Sequence, residues 1–206
     1  MRNERRDDAG QLLSLESEPA TEADASEAAA AGLGLLRCID QLRIPLPLAN
    51  SNPLLSTRAF IPGVDDDAFL RVNNRAFEWH PDQSNWTNDQ LNERIREQWF
   101  DAEGFLLHEI DGVLAGFCWT MIHPASATDP ELGEIYVIAV DPAFHGKGLG
   151  RALTIAGLAY LASKSVTVSK LHVEHDNFAA QSLYRDLGFL EHDSHCWWGV
   201  AKGESK

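Results

Sequence analysis

Basic residues are scarce in this 206-residue chain: 17 lysines and arginines stand against 31 aspartates and glutamates, a formal net charge of −14. A surface of that sign repels nucleic acid and anionic lipid, so neither is an expected partner. Cysteine is nearly absent. Cys38, Cys118 and Cys196 are scattered and odd in number, with no Cys-x-x-Cys pair, so neither a disulfide framework nor a zinc site is expected. His80, His108, His123, His175, His192 and His195 show no ligand spacing on one helix, and no metal is expected. No apolar run approaches the roughly 20 residues of a membrane span. The opening Met-Arg-Asn-Glu-Arg-Arg-Asp-Asp leads into no apolar stretch, so a secretory leader is not expected and a cytoplasmic location is.

What is present reads as one sizeable core with about 50 residues left over. Residues 1 to about 30 are rich in Ala, Glu, Asp and Ser, and are expected to be disordered or a frayed helix. Gly32 to Leu48 is more apolar and ends in Ile44-Pro45-Leu46-Pro47, which breaks any regular element. Asn50 to Ser56 reads as a linker. A domain is therefore expected over 57–206, preceded by 1–56 as tail.

Within that domain the pattern alternates. Thr57 to Ile61 reads as a short strand, and Asp65-Asp66-Asp67 as the cap of a helix running to Phe77. Thr87-Asn88-Asp89-Gln90 opens a second helix, with Leu91, Ile95 and Trp99 on one face. Two apolar runs flank Asp111-Gly112, a hairpin signal. A β-branched strand from Glu134 to Val140 meets the Pro142 turn, and a helix from Leu149 to Ser163 follows. Lys170–Glu174 reads as a strand, Ala179–Leu187 as a helix ended by Gly188, and Leu190–Val200 as a last strand. The order predicts an α/β fold with a central mixed β-sheet flanked by helices.

The most informative stretch joins the Glu134 strand to the Leu149–Ser163 helix through His145-Gly146-Lys147-Gly148-Leu149-Gly150-Arg151. Glycines leave a loop backbone uncovered, and a helix start adds unpaired N–H groups and a positive dipole end. Such a loop suits phosphate, and His145, Lys147 and Arg151 give it a local positive field despite the acidic whole. The glycine spacing matches neither the Rossmann fingerprint nor a Walker loop. A plain Gly-rich turn before a helix remains the alternative on the loop alone.

The loop, together with Arg71–Phe77, Trp79-His80-Pro81-Asp82-Gln83, Gly116–Thr120, Gly133–Val137 and His175-Asp176-Asn177, resembles the GCN5-related N-acetyltransferase (GNAT) family, and within it the mycothiol synthases. The likeness covers roughly residues 57 to 200. It implies the GNAT fold, acetyl-CoA as co-substrate and a small-molecule amine as acceptor; a monomer is expected. The family's loop begins with Gln or Arg where this chain has His145. Mycothiol synthases have two tandem acetyltransferase-like halves, and here most of the first is absent. The implied reaction is acetyl transfer to the cysteinyl amine of a cysteinyl-glucosaminyl-inositol. The alternatives are another small amine or a protein N-terminus as acceptor, or a CoA-binding remnant without catalysis.

The resemblance also assigns roles. Glu134 would bind the acceptor amine and serve as base through water; by residue type alone it is equally a surface acid at a strand end. Tyr184, two helical turns past Asn177, would protonate the departing thiolate, or else simply pack as a half-buried aromatic. The backbone of Ile138, Ala139 and Val140 would pair with the pantetheine amides. His145 to Arg151 (including Leu149) would hold the pyrophosphate. Asn177, Phe178, Ala179, Ala180, Gln181 and Ser182 would line the cofactor arm, although Asn177 also reads as a helix cap. Asp82 would contact the acceptor, as would positions 121 and 172. Met121 stands where Lys is expected and His172 where Tyr is, which puts the acceptor's identity in doubt more than the fold.

Overall fold

A computed structural model describes residues 1–48, 55–80 and 82–200. In chain order the elements are β1 (Arg2–Arg6), β2 (Leu12–Ser17), α1 (Glu22–Ala30), β3 (Gly34–Pro45), β4 (Arg58–Ala59), α2 (Asp66–Ala76), α3 (Asn88–Ile95), β5 (Phe105–Ile110), β6 (Val113–His123), β7 (Leu132–Val140), α4 (Leu149–Ser163), β8 (Val168–Glu174), α5 (Phe178–Leu187) and β9 (Leu190–Gly199). The class is α/β with a mixed sheet and flanking helices, as expected. The chain divides into two compact units, one of residues 45–170 and one of residues 1–44 together with 171 onward.

In the unit of residues 45–170, β4, β5, β6 and β7 pair antiparallel in that order. Asp111 and Gly112 both take positive φ at the β5–β6 turn, which is why Asp-Gly closes this hairpin. Alternation on β6 then separates two cores. Phe117 and Trp119 join Phe60, Phe69, Trp86, Leu91 and Phe105 in an aromatic cluster on the α2 side. Phe105 stacks on Trp119 with centroids 4.3 Å apart, and Phe69 meets Phe117 edge-on at 4.8 Å. Cys118 points the other way, to α4. A Cβ at Gly157 of α4 would lie 2.5 Å from its sulfur, so only Gly lets helix and sheet approach this closely. Thr87 caps α3 with a reciprocal capping box to Gln90, as its sequence suggests. The α3 helix ends at Ile95, so Trp99 lies beyond it. Asp65 stands at the N-cap of α2 as expected, but its side chain makes no cap bond. Its carboxylate instead accepts two bonds from the Arg58 guanidinium, at 2.7 and 2.8 Å, and one from the Ile61 N–H.

The other unit corrects two expectations. Residues 1–30 carry β1, β2 and α1 rather than disorder, and Gly34–Pro45 is a twelve-residue strand. The alanine-rich segment folds because Thr21 and Asp24 form a capping box and Ala28 packs against Leu12, Leu15 and Leu33. The proposed linker at 50–56 lies largely outside the described residues, as does Pro81. The second correction concerns cysteine. Cys38 and Cys196 form a disulfide across the antiparallel β3–β9 pair, while Cys118 is free. They are directly opposed in register although 158 residues apart in sequence, and such a separation gives no spacing signal.

The β3–β9 pair also reveals an internal repeat. Ile39 pairs with His195, Cys38 with Cys196, and Asp40 with Ser194. Each strand follows a helix closed by a positive-φ glycine, Gly32 after α1 and Gly188 after α5. Each helix opens on a side-chain cap, Thr21 or Asn177. The two strand–helix–strand segments are thus related by a local two-fold passing near Ile39 and His195.

Candidate active site

Glu134 lies near the start of β7 and is buried. Its cross-strand partner on β6 is Met121. His123, two residues farther along β6, shares that face and brings Nε2 onto Glu134 Oε2. Lys170 Nζ lies 3.5 Å from the same oxygen. A buried carboxylate is thereby matched by an imidazole and an ammonium, neither of them given a part in this site by the sequence. The register between β6 and β7 slips by one between Trp119 and Thr120, so Tyr136 has no direct partner on β6. Its ring turns to Trp99 and Trp119 instead, and burial raises its pKa above the ordinary value.

Beyond Val140 the chain makes the turn Pro142–Phe144, capped by Asp141 through the Ala143 N–H. Arg75 of α2 holds that aspartate at 3.0 Å, which ties the quoted Arg71–Phe77 segment to the end of the central strand. Gly146 and Gly148 take φ of 76° and 75°, and open space lies where a Cβ would stand on either. A loop of left-handed glycines with uncovered backbone therefore precedes α4, whose first-turn N–H groups have no intrahelical acceptor. Gly150 belongs to the helix itself. Leu149 is buried, while His145, Lys147 and Arg151 are exposed. His145 Nε2 is 3.0 Å from the Val140 carbonyl, and the Lys147 ammonium sits over the Phe144 ring. On β7, Ala139 is buried with Ile138 and Val140 half-buried. About 13 Å of strand separates Glu134 from Ile138. Asp82 is an exposed turn residue whose N–H donates to His80 Nδ1.

In the unit formed by the two chain ends, Asn177 caps α5, its Oδ1 accepting from the Ala180 N–H at 3.2 Å. Phe178 and Ala179 are exposed, as is Ser182, while Tyr184 is buried with its ring against Phe189. The Gln181 side chain is also buried, and it turns into the unit rather than outward. Its amide donates to Asp40 at 2.7 Å. The same carboxylate takes the His175 Nδ1–H at 2.8 Å and the Ser194 hydroxyl at 2.8 Å. Asp40 thus fastens the His175–Gln181 segment from β3, a role with no signal in the sequence. His172 is exposed, with Nε2 3.5 Å from the Gln41 amide. Cys38, Asp40 and His175 bring ligand-type atoms within 4.8 Å of one another, but the sulfur is in the disulfide and Asp40 already accepts three hydrogen bonds.

The positive-φ glycine loop after a bulged central strand is the geometry of a GNAT protein, and the comparisons agree. The Acetyltransferase (GNAT) family pattern matches residues 73–189, more than half of the chain, and the chain belongs to that family. A solved GCN5-related N-acetyltransferase from Sphaerobacter thermophilus superposes with a TM-score of 0.67 at 22% identity, covering 88% of this chain and 59% of that one. A tandem GNAT protein from the clavulanic acid biosynthesis pathway gives 0.57 at 18% identity, over 91% of this chain and 61% of the other. Among curated proteins, a mycothiol acetyltransferase of Acidimicrobium ferrooxidans is 50% identical over 77% of this chain and 53% of its own length. One from Amycolatopsis mediterranei is 47% identical over 70% and 49%. The chain therefore spans about half the length of the curated relatives it matches. No helix among the described residues is long and apolar enough to cross a membrane.

Proposed function

We propose that the chain transfers acetyl from acetyl-CoA to the cysteinyl amine of a cysteinyl-glucosaminyl-inositol, the reaction of mycothiol synthesis. The observation that carries this is the open glycine loop at Gly146 and Gly148 in a chain half identical to a mycothiol acetyltransferase over 166 residues. Backbone N–H groups of residues 146–151, with Lys147 and Arg151, would take the pyrophosphate. Ile138, Ala139 and Val140 would pair with the pantetheine amides. Asn177 and the α5 start, Phe178 to Ser182, would line the arm, with Gln181 contributing from its backbone since its side chain is committed to Asp40.

In this reading Glu134 receives the acceptor as an ammonium and draws off its proton. The freed amine forms the new C–N bond at the thioester carbon. As the C–S bond breaks, Tyr184 supplies a proton to the thiolate, and the second proton of the attacking nitrogen leaves the adduct to restore the phenol. Asp82, Met121 and His172 would border the acceptor. Residues 1–56 would be the tail of a preceding acetyltransferase-like domain, and the internal repeat around β3 and β9 supports that assignment. We further propose a cytoplasmic monomer working without metal.

Met121 favours a second acceptor, because a thioether cannot donate to a sugar or pair with an acid. Incubation with acetyl-CoA and the cysteinyl-glucosaminyl-inositol, beside a panel of other small amines and N-terminal peptides, followed by mass spectrometry, separates the two. An acetylated cysteinyl amine supports the first reading. Acetylation of a different amine alone replaces it, and acetyl-CoA binding without turnover of any acceptor rejects catalysis.

A further inference from the structure

We infer that His123 is a catalytic residue of this site and takes over the part of base given above to Glu134: the proton that leaves the acceptor ammonium comes to rest on His123 Nδ1, and Glu134 orients the ring. The inference rests on the proposed acetyl transfer at Glu134. It starts from the nitrogen that faces the carboxylate. Nε2 of His123 meets Glu134 Oε2, and a ring nitrogen against a carboxylate must carry the hydrogen. The neutral ring therefore has its lone pair on Nδ1, for which no protein partner exists among the described residues. The ring is partly exposed, at 29% of its side chain, whereas Glu134 is at 10%. One end of the imidazole thus touches the buried acid and the rest reaches toward solvent.

Glu134 is poorly placed to keep a proton. Oε2 already faces both the His123 N–H and the Lys170 ammonium. A carboxylate so matched holds an imidazole in one tautomer and stabilises the imidazolium that forms, the division of labour in a Ser-His-Asp triad. The balance is simple. The ammonium N–H bond breaks, its proton bonds to Nδ1, the amine keeps the electron pair and attacks, and Nδ1–H later releases its proton to water. Among the described residues, Glu134 of β7 faces the His123 ring directly and Lys170 of β8 faces the same carboxylate oxygen. Arg94 of α3 and Glu97 lie beside Tyr136, two residues along β7.

The test uses the full chain, acetyl-CoA and the cysteinyl-glucosaminyl-inositol, with the acetylated product counted by mass spectrometry across pH. His123→Gln keeps an amide donor for Glu134 but cannot accept a proton. Its kcat is expected to fall about a hundredfold, with acetyl-CoA affinity unchanged, the acid limb of the kcat profile lost, and part of the rate restored by imidazole buffer. Glu134→Gln is expected to keep an acid limb displaced to lower pH. Should His123→Gln retain wild-type kcat and limb while Glu134→Gln is inactive, His123 is out and Glu134 stands as base. If both variants match wild type, or wild type does not turn over, the underlying reading falls with it. NMR titration of the His123 ring in the unaltered chain needs no variant to fold. An Nε2–H tautomer above the midpoint supports the assignment, and an Nδ1–H tautomer overturns it.

Discussion

Replacing Asp40 with alanine should cost more stability than any surface change, and the cost can be built from its partners. The carboxylate is 2% exposed and accepts from Gln181, His175 and Ser194 at 2.7–2.8 Å. His175 is more than half exposed and can turn to water. Gln181 cannot, being itself 2% exposed, so its amide loses its partner inside the protein. An orphaned buried donor costs about 1–3 kcal/mol, and the half-buried Ser194 hydroxyl adds about 1. Relief of the buried charge offsets part of this. The expected loss is therefore at most about 2–4 kcal/mol, or up to roughly 5–15 °C in Tm for a chain of this size. Circular dichroism melts measure it. The pairing is tested by Asp40→Leu combined with Gln181→Met, which removes both polar partners and should melt closer to wild type than Asp40→Ala alone. An Asp40→Ala melt within about 1 °C of wild type would refute the network as a stabilising element.

Four further outcomes are expected. Gly148→Val forces a β-branched residue to φ near 75° and should lower acetyl-CoA affinity about tenfold or more by calorimetry, with the fold intact. Tyr184→Phe should lower kcat with little change in acetyl-CoA affinity, and an unchanged kcat would remove Tyr184 as the acid. Thiol titration of the unreduced, denatured chain should find one thiol, Cys118, and of the reduced chain three. In the native state Cys118 should resist alkylation, because burial pushes its pKa up to about 12. The Arg58 guanidinium holds the Asp65 carboxyl below its ordinary value, so the pair contributes stability that is present above about pH 4 and lost as pH falls through the lowered pKa; Arg58→Gln should flatten that acid-side loss in melts across pH.

How far the sequence could be read depended on whether the signal was local. The helix from Leu149 to Ser163, the Asp111-Gly112 turn and the Gly188 stop follow from neighbouring residues, because φ preference and capping act within a few positions. The strand Gly34–Pro45 and the Cys38–Cys196 bond depend on a partner strand at the far end of the chain, and so left no trace nearby. The same division runs through the site. The glycine loop is local and was legible. The surroundings of Glu134 were not, because they are set by register. Met121 pairs directly with Glu134, and a lysine there would stand across from the acid. In this chain the carboxylate is met instead by the His123 ring from the same strand and by the Lys170 ammonium from β8. A methionine at position 121 therefore does not leave the carboxylate unmatched. In the proposed reading, it leaves the acceptor's side of the site one donor short. That makes Met121→Lys a test of acceptor choice: acceptor KM should fall about tenfold if a charge-assisted contact worth about 1.5–3 kcal/mol is regained. If KM stays unchanged, position 121 does not meet the acceptor, and Met121 carries no information about which amine is used.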